Sequence, residues 1–122
     1  MPVNLDSLAN EDFCYLTTTG RRSGRPHTIE IWFALKGNIL YVLSGGRDKS
    51  DWVRNIIRHP DVQVRISDTN FNGRARIVRA DTDAQEDALA RKIVYNKYTA
   101  RGENDLIGWS HTSLPVAVDL AV

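Results

Sequence analysis

A chain of 122 residues with 42% hydrophobic and 25% charged side chains holds the material for one domain and one core, with none left for a second. Its net charge of +1 excludes a global field that would hold nucleic acid or an anionic membrane, so electrostatic attraction has to come from local clusters. A lone cysteine, Cys14, excludes an intrachain disulfide and a thiolate zinc site, and fits a reducing compartment.

In chain order, Met1 to Asn10 carries Asp6 and lacks the basic start and apolar run of a signal peptide. No stretch approaches the roughly 20 apolar residues that cross a bilayer, so a cytoplasmic protein is expected. Phe13 to Thr19 is β-branched and aromatic and reads as a strand ending at Gly20. Thr28 to Leu35 alternates, with Ile29, Ile31, Phe33 and Leu35 on one face and Trp32 on the other. Gly37-Asn38 fits a two-residue hairpin turn, and Ile39 to Ser44 is the returning strand. Gly45-Gly46 breaks that strand. Ser50 then suits the N-cap of a helix on which Trp52 and Ile56, and Val53 and Ile57, are four apart, and Pro60 ends it.

Val62 to Ile66 alternates as a fourth strand, Asp68 to Gly73 reads as a turn, and Arg74 to Arg79 as a fifth strand. Asp83 and Glu86 have the spacing of a capping box and open a long helix. Leu89, Ala90, Ile93, Val94 and Tyr98 form its buried stripe, and Gly102 ends it. Leu114 to Val122 alternates as the last strand. Six short antiparallel strands and two covering helices favour a closed or nearly closed barrel spanning 1–122, because closure removes exposed strand edges.

Two segments are suited to an anion. In Thr17-Thr18-Thr19-Gly20-Arg21-Arg22-Ser23-Gly24-Arg25-Pro26, glycines allow a sharp turn, and arginine forks and hydroxyls supply donors for phosphate or carboxylate. The plain alternative is a solvated loop. In Ser44-Gly45-Gly46-Arg47-Asp48-Lys49-Ser50-Asp51-Trp52, a strand ends in glycines before a helix N-terminus, with Arg47 and Lys49 as reinforcement. Here the alternative is that Ser50 only caps the helix and Asp51 complements its dipole. Trp32, between the two segments, could wall a planar ligand or simply pack.

Nothing else forms a catalytic constellation. His27, His59 and His111 lack ligand spacing, Cys14 has apolar neighbours, Ser23 lacks a nucleophile context, and Tyr95 and Tyr98 suit packing. Chemistry borrowed from a cofactor follows, with the protein as its holder.

The run Leu16 to Pro26, then Ile31-Trp32-Phe33, Leu40 to Gly46, Lys49 to Ile56 with His59-Pro60, and Leu114 to Val118 resembles the deazaflavin-dependent nitroreductase family. The resemblance implies a mainly β (α+β) split barrel of the flavin-mononucleotide-binding type and coenzyme F420 as cofactor, with FMN the alternative. It assigns the phosphate end to Thr19, Gly20, Arg21, Arg22, Ser23 and Gly24. The ring and ribityl region goes to Ser44, Gly45, Gly46, Lys49, Ser50 and Trp52. It assigns no catalytic side chain. The implied activity is hydride transfer to a small-molecule acceptor: a quinone, nitro compound or activated alkene. A non-catalytic carrier or sensor is the second reading. A homodimer is plausible by the same resemblance, whereas nucleic acid and metal are not expected partners.

Overall fold

Alternating burial runs along β1 (Cys14–Thr19), where Cys14, Leu16 and Thr18 face inward. The computed structural model describes residues 5–122, so the expectation for Met1–Asn10 lies partly outside the described residues. After a short α1 (Leu5–Leu8) and β1 come β2 (Pro26–Ile31), β3 (Ala34–Lys36), β4 (Ile39–Ser44), α2 (Asp51–Arg58), β5 (Asp61–Ile66), β6 (Thr69–Ile77), α3 (Ala84–Ala100), α4 (Leu106–Thr112) and β7 (Leu114–Leu120). A 3₁₀ turn, Arg47–Lys49, precedes α2.

All neighbouring strands are antiparallel, in the order β2-β1-β5-β6-β7-β4-β3. The two edge strands, β2 and β3, are separated in sequence only by Trp32 and Phe33. Three Cα steps reach about 10 Å at most, so the sheet has to curl until its edges nearly meet. The result is a split barrel with its seam at Trp32-Phe33.

Six strands were expected and seven are present among the described residues, because the run Thr28 to Leu35 breaks at that seam. Tyr98 and Lys97 on α3 cause the break. The Phe33 amide donates to the Tyr98 hydroxyl at 2.9 Å, and the Lys97 ammonium donates to the Phe33 carbonyl at 2.9 Å. These side chains satisfy backbone groups that a ladder would otherwise pair. Other boundaries move too. The β5–β6 turn is Ser67-Asp68 rather than Asp68 to Gly73, since β6 starts at Thr69, and β7 stops at Leu120.

The barrel interior packs Leu16, Phe33, Leu40, Val42, Val53, Ile56, Val64 and Val116. A second cluster lies between the sheet and α3, built on Tyr41, Leu43, Ala90, Val94, Tyr98 and Ala117, with Trp32 and Trp109 against it. Strand β4 is therefore buried on both faces, and Trp32 does lie opposite Phe33. On α2, Val53 and Ile56 are buried, while Ile57 is exposed.

The expected capping box does not form: Asp83 occupies the N-cap without a side-chain bond. Arg76 takes the Glu86 carboxylate instead, at 2.5 and 2.8 Å, and the Tyr41 hydroxyl donates to it at 2.7 Å. Charge-assisted forks outcompete a neutral amide for the same oxygens. Arg76 holds the Glu86 carboxyl below its ordinary value, and burial, then Glu86, pushes the Tyr41 phenol up to about 12.

Lys97 sits half-buried at the seam, 3.7 Å from the Phe33 ring centroid. Burial, opposed by Cys14 and Glu11, lowers its ammonium to about 8. The unfolded chain keeps that proton to higher pH, so Lys97 by itself raises stability between about pH 8 and 10, while Cys14, its thiol pushed by burial to about 12, keeps a proton that the unfolded chain loses from about 9 and lowers stability there. Above about 10 stability falls further, because Tyr41 and Tyr98, both raised to about 12 mainly by burial, keep protons that the unfolded chain loses. Solvent screening of the half-exposed ammonium limits the rise to about 1 kcal/mol. Urea unfolding from pH 7 to 10 should show a steeper loss of stability above about pH 9 in Lys97→Met than in the native chain, where Lys97 offsets Cys14.

Candidate functional site

The turn after β1 is closed by its own backbone. Gly20 donates to the Arg25 carbonyl at 2.8 Å, and Gly24, at φ +71°, donates to the Gly20 carbonyl at 2.9 Å. The Ser23 hydroxyl accepts the Arg25 amide at 3.2 Å. A Cβ on Gly20 would lie 2.6 Å from Ser23 Oγ and 2.8 Å from His27 Nε2, so a larger residue there would displace both.

Arg21 and Arg22 do different things. The Arg21 amide and Nη1 donate to Asn55 Oδ1 at 3.1 and 3.0 Å, and its Nη2 meets Asp51 Oδ1 at 3.2 Å. Asn55, 4% exposed on α2, donates in turn to Thr18 Oγ1 at 3.1 Å. Arg21 is thus a fastener between turn and helix. The exposed Arg22 guanidinium has no partner among the described residues, nor do the amides of Arg22 and Ser23. An anion arriving at this turn finds those groups available.

The second segment is built around Ser44, which is 2% exposed. Its hydroxyl donates to the Arg47 carbonyl at 2.9 Å and lies 2.9 Å from Ser50 Oγ. Ser44 gives its one proton to Arg47, so Ser50 donates in that contact, and its Oγ makes no cap bond at the start of α2. The first amides of α2 are left uncapped by a side chain, the state in which a helix N-terminus accepts an outside anion. A Cβ on Gly46 would lie 2.5 Å from Ser50 Oγ, so the segment closes only around glycine. Arg47 does not reinforce the anion site: its Nη1 donates to the Thr112 carbonyl at 2.5 Å. Lys49 is exposed and unpartnered among the described residues.

Thr19 leads into the first turn, and Trp52 packs on the barrel core. Trp32 stacks on Tyr98, with centroids 4.2 Å apart and planes at 7°, and meets Trp109 edge-on at 5.8 Å. It reaches the glycine segment only through Trp109, which lies beside Gly45. Asn55 and Trp109 are the residues that sequence reading passed over. A polar residue amid the α2 stripe was the available sign of the first, and a tryptophan in an unassigned stretch that of the second.

Both segments therefore converge on the first turns of α2, one through Arg21 and the other through Ser50. No group of three or more His, Cys, Asp or Glu side chains that could hold a metal ion is present among the described residues. Burial pushes the Cys14 thiol up to about 12, which leaves it inert.

A family model described as F420H(2)-dependent quinone reductase matches residues 5–121. The chain belongs to this family. Membership makes it an oxidoreductase with coenzyme F420 as its cofactor. Among solved structures, a protein named F420 reductase superposes with a TM-score of 0.68 at 21% identity, covering 100% of this chain and 97% of its own. A FAD-binding protein from Mesorhizobium loti gives 0.67 at 15%, covering 97% and 87%. A structure named only as a domain-swapped dimer gives 0.60 at 21%, covering 90% and 80%. At these identities the likeness speaks for the fold, which is the split barrel expected from the sequence. No helix among the described residues is long and apolar enough to cross a membrane.

Proposed function

We propose that this F420-dependent reductase holds its cofactor across the two segments that meet on α2 and reduces a quinone, nitro compound or activated alkene. The convergence of an unpartnered Arg22, two open amides and an uncapped helix start is the observation that carries this reading. The donor set suits the cofactor: the phosphate end needs cations and N–H groups, and Gly45-Gly46 offers a flat ring backbone without side chains.

In this reading Arg22 and the amides of Arg22 and Ser23 bind the phosphate. Arg21 keeps Thr19, Gly20 and Gly24 in register with α2. Gly45 and Gly46 present backbone to the ring, Ser44 and Ser50 hold that backbone still, and Lys49 supplies charge at the rim. Trp52 and Trp32 support the two ends from the packed side. When bound, the reduced cofactor supplies a hydride, and a quinone that takes this hydride with one proton from water becomes the hydroquinone. The protein contributes position and the exclusion of competing poses. A second copy of the chain is a proposed partner, by analogy with the domain-swapped structure.

Fluorescence titration with F420 tests the phosphate assignment. Charge-assisted bonds are worth about 1.5–3 kcal/mol, so Arg22→Ala should raise the Kd roughly 10- to 100-fold. The Tm should barely move, because the side chain is exposed and unpaired. An unchanged Kd would remove Arg22 from the site. Turnover of menadione with reduced F420 tests the activity: tight cofactor binding with no reduction of any acceptor would leave a carrier instead.

A further inference from the structure

Trp109 lies on α4, an element that the anion-holding segments do not include, yet its indole faces them. A Cβ placed on Gly45 would lie 3.6 Å from both Cδ1 and Nε1 of Trp109, which puts the N–H edge of the ring against the glycine. An indole nitrogen can only donate, and in folded proteins it usually finds a partner when enclosed. Trp109 Nε1 has no partner among the described residues, and it is not sealed: Ser113 Oγ is the one enclosed side-chain polar atom there that lacks a bond. The result is an open donor beside the segment assigned to the cofactor ring.

That donor is also held still. Arg91 on α3 donates to the Ser110 and His111 carbonyls at 2.9 Å each, and is itself fixed by Asp87 at 3.1 Å. Arg47, from the glycine segment, donates to the Thr112 carbonyl. The Trp109 carbonyl accepts the Ser113 amide at 3.0 Å, and the edge of Trp32 bears on the indole. Two arginines therefore tie the last turn of α4 to α3 and to the very segment that the indole faces. A donor fixed before the ligand arrives loses little on binding.

Resting on the function proposed above, we propose that Trp109 donates its indole N–H to an oxygen of the electron acceptor bound over Gly45. This makes it a specificity-determining residue that selects quinones, nitro compounds and conjugated carbonyls over acceptors lacking such an oxygen. Negative charge grows on that oxygen as hydride reaches the conjugated system, so the bond strengthens on the way to the transition state. The donor also adds a fixed N–H to a segment whose one cation unpartnered among the described residues, the exposed Lys49 ammonium, stands at the rim.

The test is made on the ¹⁵N-labelled protein saturated with oxidised F420, which cannot pass a hydride on. The sequence holds three tryptophans, so three indole signals are expected, and Trp109→Phe identifies the one concerned. Menadione should move the Trp109 indole proton downfield more than those of Trp32 and Trp52, while 2-methylnaphthalene, the same shape without oxygens, should not. In turnover with reduced F420, Trp109→Phe should lower kcat/KM for menadione by roughly 10- to 100-fold, with the F420 Kd changed less than about twofold. A Trp109 signal that ignores menadione or treats both compounds alike, or a variant with native kcat/KM, overturns the inference while leaving the reductase reading intact. Failure of F420 to bind the native chain removes both.

Discussion

Replacing Asn55 by leucine is expected to lower the stability by about 2–4 kcal/mol and to raise the Kd for F420 about 100-fold or more. Asn55 is 4% exposed, and its oxygen takes both the Arg21 amide and the Arg21 guanidinium. Its own amide serves Thr18, which is 1% exposed. Leucine has similar bulk, so packing is kept and only the polar contacts go. Three groups are then stranded, and each one that water cannot reach costs about 1–3 kcal/mol. The Arg21 side chain keeps Asp51 and some solvent, which limits the total. Binding falls because the turn loses its register with α2, on which the second segment is also mounted. Asn55→Asp separates the two effects, since it keeps the acceptors for Arg21 and lets the Thr18 hydroxyl donate. Urea unfolding and cofactor titration of both variants check this. A leucine variant that unfolds early but binds F420 normally would show that the turn is only structural.

Features set by local pattern were readable in the sequence, and features set by distant side chains were not. Alternation fixed the inward residues of β5 and of β7, and the glycine of Gly37-Asn38 fixed the β3–β4 hairpin. The break at Trp32-Phe33 had no local sign, because its bonds come from Tyr98, 65 residues away, and from Lys97. Glu86 carried a capping-box spacing, yet Arg76 and Tyr41, on strands brought together by the fold, claimed its carboxylate. Helix α4 is seven residues long with Gly108 inside it, too short and too weak in propensity to stand without Arg91 and Arg47. In the candidate site the glycines and Arg22 were legible, since turn geometry and an exposed cation are sequence-local properties. The division of labour between Arg21 and Arg22 was not, because adjacent arginines look alike until one finds Asn55.

Tyr98→Phe should remove about 2–4 kcal/mol of stability while leaving the aromatic packing in place. The ring is 2% exposed and stacks on Trp32 at 4.2 Å, and phenylalanine keeps that contact. What disappears is one hydroxyl that accepts the Phe33 amide at 2.9 Å and donates to the Asp12 carbonyl at 2.7 Å. Phe33 is fully buried, so its amide has no water to turn to. Lys97 still holds the Phe33 carbonyl, which makes the damage local to one peptide at the seam. Hydrogen exchange at the Phe33 amide should accelerate well beyond that of the β4–β7 ladder, which the substitution does not touch. A second effect follows from the aromatic chain Tyr98–Trp32–Trp109. A seam that breathes lets Trp32 shift, and Trp109 loses the edge that orients its N–H over Gly45. The KM for menadione should therefore rise several-fold, while the F420 Kd, set on the α2 side, stays near native. If both constants move together, or exchange at Phe33 does not change, the seam and the acceptor wall are not mechanically joined. If they split as expected, one phenol closes the barrel and steadies the acceptor donor.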